Sequence, residues 1–305
     1  MKINTVRLIG LGAVGCFIAP KLQKTLGDNF SVIAGRERAD AIRRGVIIND
    51  ERYIFPVAER GAADLIFIAV KWPYLDSAIS DIKDCVRPGT IILPLLNGVD
   101  SEPRLMKALP QAHVLYSLVR VASMRENGKV SFDPAEGHIE FGELDNKKLS
   151  PQVKAVKELL DAAEIGYKVK EDMLLAIWQK FLINIGENLP LAMIGASYGA
   201  LKDSKYMRAL QFGGMREVVT VANALGIPLT KQDCEDAYKD TCTSVPTDKP
   251  STLQDIESGR RTEIDMFSGE LIRIAGGLDI PVPYNEVYYN AIHALEEKNA
   301  GKFDY

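Results

Sequence analysis

The chain has 305 residues, 47% of them hydrophobic and 26% charged, an ordinary composition for a soluble globular protein. At roughly 150 residues per domain, this length predicts two domains. The 37 basic and 41 acidic residues give a net charge of −4, which argues against nucleic acid as the main partner because phosphate binding needs a concentrated basic surface.

Hydropathy and the spacing of metal-binding side chains argue against further classes of protein. There is no apolar run of about 18 residues, so we expect no membrane span. Charges among the first residues predict no signal peptide, hence a cytoplasmic protein. The cysteines and histidines are scattered, and we expect free thiols and no metal. These residues are Cys16, Cys85, Cys234, Cys242, His113, His138 and His293.

The first half of the chain alternates strand-length apolar runs with helical patterns. The runs cover residues 5–9, 30–34, 64–70 and 90–96. Continuous apolar runs separated by helices predict an α/β fold, with a doubly wound parallel sheet of Rossmann type covered on both faces. Pro94 lies inside the fourth run, and we expect that strand to end there because proline lacks an N–H donor.

The pattern of apolar residues changes twice further along the chain. Short apolar runs and turn residues predict an antiparallel extension of the same sheet and a last edge strand, at residues 114–121, 129–132, 138–141 and 166–169. Almost everything after residue 171 has helical periodicity. The predicted helices cover residues 173–194, 207–225, 231–241, 253–276 and 285–298. We therefore expect an α/β domain over residues 1–170 and an all-α domain over 171–305.

The first strand leads into a glycine motif. Gly10-Leu11-Gly12-Ala13-Val14-Gly15 matches G-x-G-x-x-G after a strand and at the start of a helix, the context of a dinucleotide-binding turn. Gly10 would make the tight turn, Gly12 would let the backbone approach the pyrophosphate, and Gly15 would allow close packing of the helix. The alternative is a glycine-rich turn without a ligand.

The end of the second strand bears on the choice of dinucleotide. NAD sites place an acid about 20 residues past the glycines to hold the ribose 2′-hydroxyl, whereas Arg36 stands there and suits a 2′-phosphate, with help from Arg38. NADP is therefore favoured, although Glu37 next to Arg36 leaves NAD open. Lys71 and Asn97 follow the third and fourth strands and would also face the cofactor, unless they are ordinary surface and turn residues.

Two segments of the helical half carry polar residues that could act on a substrate. Lys180, Asn184 and Asn188 are spaced i, i+4, i+8 on one face of an apolar helix, which is costly unless they are paired or line a cavity. The alternative is a solvent-facing stripe. Glu187 falls on nearly the same face and could pair with Lys180 or point to water. Further on, Ser251-x-x-Gln254 reads as a capping box, and Glu263 as a further acid on the same helix.

Together these motifs resemble the ketopantoate reductase (2-dehydropantoate 2-reductase) family over essentially the whole chain. The resemblance is carried by the glycine motif, Arg36, Val70-Lys71, Asn97-Gly98-Val99, the Lys180-x3-Asn184-x3-Asn188 helix, and Ser251-x2-Gln254-Asp255 with Thr262-Glu263-Ile264-Asp265. It implies NADPH-dependent reduction of 2-dehydropantoate to pantoate in pantothenate biosynthesis, with a small-molecule keto acid as partner and a homodimer left open.

The resemblance also implies residue roles. Lys180 would be the proton donor, and Asn97, Asn184, Asn188 and Ser251 the substrate ligands. The NADP contacts would be Gly10 to Gly15, Arg36, Lys71, Asn97, Ala122 and Glu263. This agrees with the chemistry, since hydride addition to C2 leaves an alkoxide that a positioned ammonium can protonate.

Three positions depart from the family pattern. Leu96 stands where glutamine is common, Glu187 interrupts a stretch that is usually apolar or small, and Tyr198 stands where a substrate asparagine is sometimes found. Two alternatives therefore stay open: a related NADPH-dependent reductase of another bulky 2-keto acid, and a non-catalytic NADP-binding regulatory protein. The intact lysine, asparagine, serine and glutamate set argues against the regulatory protein.

Overall fold

The chain forms two compact units, Met1–Leu174 and Leu175–Tyr305. The computed structural model describes residues 2–58, 61–121, 123–126, 128–133 and 137–303. Of the residues singled out in the sequence, Ala122 and the side chains of Arg36 and Glu37 lie outside this description. Within the described ranges, no helix is long and apolar enough to cross a membrane.

A five-stranded parallel sheet organises the first unit. Its order is β2-β1-β5-β6-β7, and every neighbouring pair is parallel. The strands are β1 (Val6–Ile9), β2 (Phe30–Ile33), β3 (Val46–Ile48), β4 (Glu51–Tyr53), β5 (Leu65–Ile68), β6 (Ile91–Pro94), β7 (His113–Val114), β8 (Tyr116–Arg120), β9 (Ser123–Glu126), β10 (Lys129–Phe132), β11 (His138–Gly142) and β12 (Tyr167–Val169). This confirms the predicted fold class, and β6 ends at Pro94 as expected.

Helices cover both faces of this sheet and make up most of the second unit. They are α1 (Ala13–Leu26), α2 (Arg36–Arg44), α3 (Leu75–Ile82), α4 (Ser101–Ala108), α5 (Pro151–Ala162), α6 (Met173–Ile194), α7 (Gly199–Asp203), α8 (Lys205–Ala224), α9 (Lys231–Thr241), α10 (Ser251–Glu257), α11 (Glu270–Gly276) and α12 (Pro283–Asn299). Along β5, Leu65 and Phe67 join the hydrophobic cluster that includes α1, while Ile66 and Ile68 join the cluster that includes α3. Alternating side chains of one strand thus serve two cores, which explains the continuous apolar run.

The predicted antiparallel strands are present, but not as an extension of the same sheet. β8 pairs antiparallel with β11, and β9 with β10, in two further sheets of order β12-β11-β8 and β4-β3-β10-β9. The β6–β7 ladder covers only two residue pairs, Ile91–His113 and Ile92–Val114. Pro94 has no N–H with which to continue it, and its carbonyl instead accepts a hydrogen bond from the Ser117 hydroxyl. β12 pairs with β11 as the predicted edge strand.

The hairpin formed by β3 and β4 is an element that the sequence analysis missed. Its two-residue turn, Asn49-Asp50, has φ values of 47° and 64°. Asparagine and aspartate adopt positive φ more readily than most residues, and two such positions in a row suit a tight hairpin turn. The three-residue strands are too short to show a clear alternation of apolar and polar side chains.

In the second unit, the predicted helix over 253–276 is wrong. α10 ends at Glu257, and residues 258–264 connect it to a single π-helical turn, Asp265–Gly269, before α11. Gly259 has φ of 62° and its amide donates to the Ile256 carbonyl at 3.0 Å, an arrangement that ends helices. Glu263 therefore lies in the connecting segment and not on a helix. The predicted helices at 173–194 and 231–241 coincide with α6 and α9.

The predicted capping box at Ser251 is also wrong. Pro250 is the N-cap of α10, Ser251 is the first helical residue, and the Gln254 side-chain amide donates to the Lys249 carbonyl at 2.8 Å. A complete capping box occurs instead on α9. There Asp233 accepts from the Thr230 amide at 2.7 Å, and the Asp233 amide donates to the Thr230 hydroxyl.

Thr230 and Ser251 allow a matched test of the two cap assignments. Thr230→Ala removes a real cap and is expected to lower the free energy of unfolding by about 1 kcal/mol. Ser251→Ala removes no cap hydrogen bond and is expected to change it by less than about 0.5 kcal/mol. Urea denaturation of the two variants measures both values. An equal loss in both would contradict the assignment of Pro250 as the cap.

Candidate active site

The glycine turn between β1 and α1 combines close packing with open space. A Cβ on Gly10, whose φ is 98°, would lie 2.5 Å from the Ala69 carbonyl oxygen. A Cβ on Gly15 would lie 2.0 Å from the Gly10 carbonyl oxygen, so α1 packs directly on the turn. Among the residues that the structure describes, nothing lies within 4 Å of a Cβ on Gly12, and no side chain caps the start of α1. The first-turn amides thus border open space, an arrangement that suits an anion.

The other candidate cofactor residues of this unit follow neighbouring parallel strands. Arg36 begins α2 shortly after β2, Lys71 follows β5, and Asn97 follows β6. Because β2, β1, β5 and β6 are adjacent and parallel, their carboxyl ends lie along one edge of the sheet. Lys71 is exposed and Asn97 is half-buried. The sheet therefore brings the glycine turn and these three positions to one edge.

A cluster that the sequence analysis missed joins two of these loops. The Trp72 indole N–H donates to Asp100 at 2.9 Å, and Arg104 contacts Asp100 at 3.3 Å while its guanidinium lies 5.1 Å from the centre of the Trp72 ring. Trp72 is next to Lys71, and Asp100 is three residues after Asn97. The cluster therefore fixes the two loops relative to each other. No sequence spacing could have paired residues that are 28 positions apart.

Glu102 is a buried acid at the start of α4 that the sequence analysis also passed over. It accepts from the Ser101 hydroxyl at 2.8 Å and from the Ser117 amide at 3.3 Å. Burial raises its pKa to about 7, against the lowering effect of these donors. The carboxyl thereby ties the first turn of α4 to β8.

In the second unit, α6 carries the lysine–asparagine–asparagine set on one face. Lys180 and Asn184 are half-buried and Asn188 is 6% exposed. The Asn188 amide donates to the Asn184 side-chain oxygen at 3.3 Å, whereas the Asn184 amide nitrogen is buried and has no hydrogen-bond partner among the described residues. Because leaving a buried amide unpaired is costly, this donor suits a ligand acceptor. The burial argues against a solvent-facing stripe.

Glu187 lies on the same helix and does not point to water. It is 7% exposed, and its carboxyl is hydrogen-bonded to the Thr241 hydroxyl of α9, which also accepts from the Gln211 amide of α8 at 3.3 Å. Burial raises the pKa of Glu187 to about 7, and the negative charge of Asp240 adds to the rise. The pKa of Tyr198 is likewise raised, first by burial and then by the charge of Glu187.

Ser251 and Glu263 lie in different segments of the second unit. Ser251 is exposed at the start of α10, and Glu263 is half-buried just before the π-helical turn. The segment around Glu263 is anchored on α12, because Thr262 donates its amide and hydroxyl to Glu296 at 2.6 and 2.8 Å. Asp265 on the other side contacts His293 at 3.1 Å.

Two family models match the chain. The model described as "Ketopantoate reductase PanE/ApbA" matches residues 6–146, and "Ketopantoate reductase PanE/ApbA C terminal" matches residues 172–296. The chain is 27% identical over 303 residues to the 2-dehydropantoate 2-reductase of Pyrococcus horikoshii, covering 97% of this chain and 99% of that protein.

Solved structures share the fold over nearly the full length. A PanE/ApbA family ketopantoate reductase from Ralstonia eutropha JMP134 superposes with a TM-score of 0.84 at 25% identity, covering 97% of this chain and 99% of that one. D-mandelate dehydrogenase in a ternary structure with NADH and anilino(oxo)acetate gives 0.87 at 20% identity with the same coverage, a likeness of fold alone. Because the family models match most of its length, the chain belongs to the ketopantoate reductase family of oxidoreductases.

Proposed function

We propose that this protein reduces 2-dehydropantoate to pantoate with NADPH. The observation that carries the proposal is the face of α6, where Lys180 lies with two asparagines and the buried Asn184 amide nitrogen has no partner in the described part of the chain. A donor left unpaired at a family substrate position favours binding of a small polar molecule such as a keto acid. A regulatory protein would need only the nucleotide contacts.

The first unit would hold the cofactor, which supplies the hydride when bound. Open space at Gly12 and the uncapped start of α1 support binding of a pyrophosphate there. Arg36 would bind the 2′-phosphate, and Lys71, Asn97 and Ala122 would add further contacts. Glu263, a residue of the second unit, would be the one cofactor contact from outside the first unit. Residues 1–170 would thus form the NADP-binding domain and residues 171–305 the substrate domain.

Lys180 would act on the substrate carbonyl. Its ammonium would donate a hydrogen bond to the C2 oxygen, stabilise the negative charge that develops there and transfer a proton to it. Asn97, Asn184, Asn188 and Ser251 would hold the carboxylate and hydroxyl without adding charge. Since Ser251 is not the cap of α10, a raised KM in Ser251→Ala would report the substrate role and not a lost cap.

A reductase of another bulky 2-keto acid is the second candidate. Glu187 and Tyr198 are the observation that favours it, because a buried acid on α6 and a half-buried phenol just after this helix act on each other where the family pattern has other residues. D-mandelate dehydrogenase has the same fold, so the fold does not decide between keto acids. NADPH oxidation measured with a panel of 2-keto acids separates the two candidates. The cytoplasmic location and the homodimer stay predictions.

The glycine turn allows a test of cofactor binding that separates folding from affinity. Gly12→Ala places a methyl group in open space, so stability should be retained, while NADPH affinity should fall at least about tenfold because the backbone can no longer approach the pyrophosphate. Gly15→Ala should instead lower the unfolding temperature, since its Cβ would overlap the Gly10 carbonyl. Thermal unfolding and fluorescence titration measure the two effects. Unchanged NADPH affinity in Gly12→Ala would contradict the assignment.

Cofactor choice is tested at Arg36. Arg36→Ala should weaken NADPH binding by about 1.5–3 kcal/mol, the effect of losing a charge-assisted phosphate contact, and should leave NADH binding unchanged. Arg43→Ala is the control, because Arg43 lies on the same helix and pairs with Asp40 on the surface. Equal affinity of the unmodified protein for NADPH and NADH would contradict the NADP assignment.

Proton donation is tested at Lys180. Lys180→Ala should lower kcat by a factor on the order of 10²–10⁴, as expected for losing a general acid, with NADPH affinity nearly unchanged. Lys239→Ala is the matched control, since Lys239 pairs with Asp236 on the surface of α9 at 2.9 Å. A kcat within a few-fold of the unmodified enzyme would show that the acid is another residue.

A further inference from the structure

The segment that carries Glu263 is attached to α12 on both sides of this residue. Immediately before it, Thr262 donates its amide and its hydroxyl to Oε1 of Glu296, at 2.6 and 2.8 Å. Two residues after it, Oδ1 of Asp265 lies 3.1 Å from Nε2 of His293. Both partners, His293 and Glu296, belong to α12. Contacts with a single helix therefore bracket Glu263.

His293 links the two attachments to each other. Besides its contact with Asp265, its Nδ1 lies 3.2 Å from Oε2 of Glu296, the carboxylate whose other oxygen holds Thr262. The Tyr289 ring, whose hydroxyl donates to Asp265 at 3.1 Å, packs edge-on against the imidazole with ring centres 4.5 Å apart. A neutral imidazole has one N–H, so one of its nitrogens would direct a lone pair at a carboxylate oxygen. The imidazolium has two N–H donors and can make both contacts.

The charged groups around His293 agree with a protonated ring. Asp265 and Glu296 contact it, and the charge of His293 also acts on Glu297, a further acid of α12. Arg261 faces the other oxygen of Asp265 at 2.9 Å. Burial alone would raise the pKa of Asp265, but hydrogen bonds from Arg261 and His293 and the charge of His293 hold it below its usual value. Asp265 is therefore a carboxylate and attracts the charged ring.

We propose that His293 is a positioning residue for the cofactor: its imidazolium links Asp265 and Glu296 and thereby holds Glu263 where it contacts NADPH. When the ring loses its proton to solvent, one carboxylate faces a lone pair and its attachment weakens. No bond of the cofactor or the substrate is made or broken in this step. NADPH affinity should therefore be higher with the charged ring than with the neutral one. This inference rests on the proposed function, in which Glu263 contacts the cofactor.

The first test is the Kd of NADPH for the unmodified protein and for His293→Ala, measured by fluorescence titration from about pH 5 to about pH 9, a range that spans the usual titration of histidine. The 2′-phosphate of NADPH titrates at about pH 6, so the two proteins are compared by the ratio of their Kd values at each pH, in which this contribution cancels. The ratio should be roughly tenfold at low pH, as for the loss of a charge-assisted hydrogen bond, and should approach one at high pH. A ratio that does not change with pH would overturn the proposal.

Glu296→Gln separates the charge of the ring from the packing around it. The introduced amide oxygen can still accept from Thr262, and the amide –NH₂ can donate to Nδ1 of a neutral His293 whose Nε2–H donates to Asp265. The neutral ring completes the contacts in this variant. Its NADPH affinity relative to the unmodified protein should therefore improve as the pH rises from about 5 to about 9. A relative affinity that stays constant or worsens would overturn the proposal, and this variant decides it if His293→Ala does not fold.

A double-mutant cycle tests whether His293 acts through Glu263. At low pH, His293→Ala should change NADPH affinity by less than about twofold in a protein that already carries Glu263→Ala, against roughly tenfold in the unmodified protein. A full effect in both proteins would overturn the proposal and leave the proposed function standing. Unchanged affinity in Glu263→Ala would overturn the cofactor contact of Glu263, and absence of NADPH binding to the unmodified protein would overturn the proposed function. The inference would fall in both cases.

His113→Gln is the matched control. His113 lies in the first unit, and its Nε2 is 2.9 Å from the Glu143 carboxylate, a contact that a neutral ring can make with its one N–H. The NADPH affinity of this variant should match that of the unmodified protein at every pH. Thermal unfolding without NADPH shows which variants are folded. A pH-dependent ratio in His113→Gln like that of His293→Ala would contradict the assignment of the effect to His293.

Discussion

The close approach of α1 to the turn that precedes it determines the position of the proposed nucleotide site. With Gly10 and Gly15 in backbone contact, no side chain fits between β1 and α1, and the helix must start at the sheet edge. The parallel order β2-β1-β5-β6 then brings the residues that follow each strand to that same edge. Backbone packing thus positions polar residues that are far apart in the sequence.

The second constraint is the burial of polar groups on α6. Most of its neighbouring side chains are apolar, so each polar group on it must have a partner or a ligand. Asn188 is paired with Asn184 and Glu187 with Thr241, while the Asn184 amide nitrogen has no partner within the ranges that the structure describes. The helix therefore carries both buried polar groups that are paired and a donor that is available to a ligand. That combination distinguishes it from an ordinary core helix.

The sequence predicted features whose causes are local and missed those that depend on distant partners. The apolar runs predicted β1, β2, β5 and β6, and periodicity predicted α6 and α9. The apolar residues that bury each of these elements are close together in the sequence, so the pattern is visible there. The helix break at Gly259 and the cap at Pro250 were missed because the pattern there suits a continuous helix and a capping box equally well. The surroundings of Glu187 come from α8 and α9, and Thr241 is 54 residues away. No spacing along α6 could reveal them.

The two buried acids, Glu102 and Glu187, show why burial alone does not define a role. Burial raises the pKa of each to about 7. Glu102 accepts from two donors, the Ser101 hydroxyl and the Ser117 amide, which is an arrangement that a carboxylate can use fully. Glu187 accepts from one donor, the Thr241 hydroxyl, and its carboxyl thereby joins α6 to α9. The partners of each carboxyl, and not its depth of burial, therefore show which elements it joins: a helix and a strand for Glu102, and two helices for Glu187.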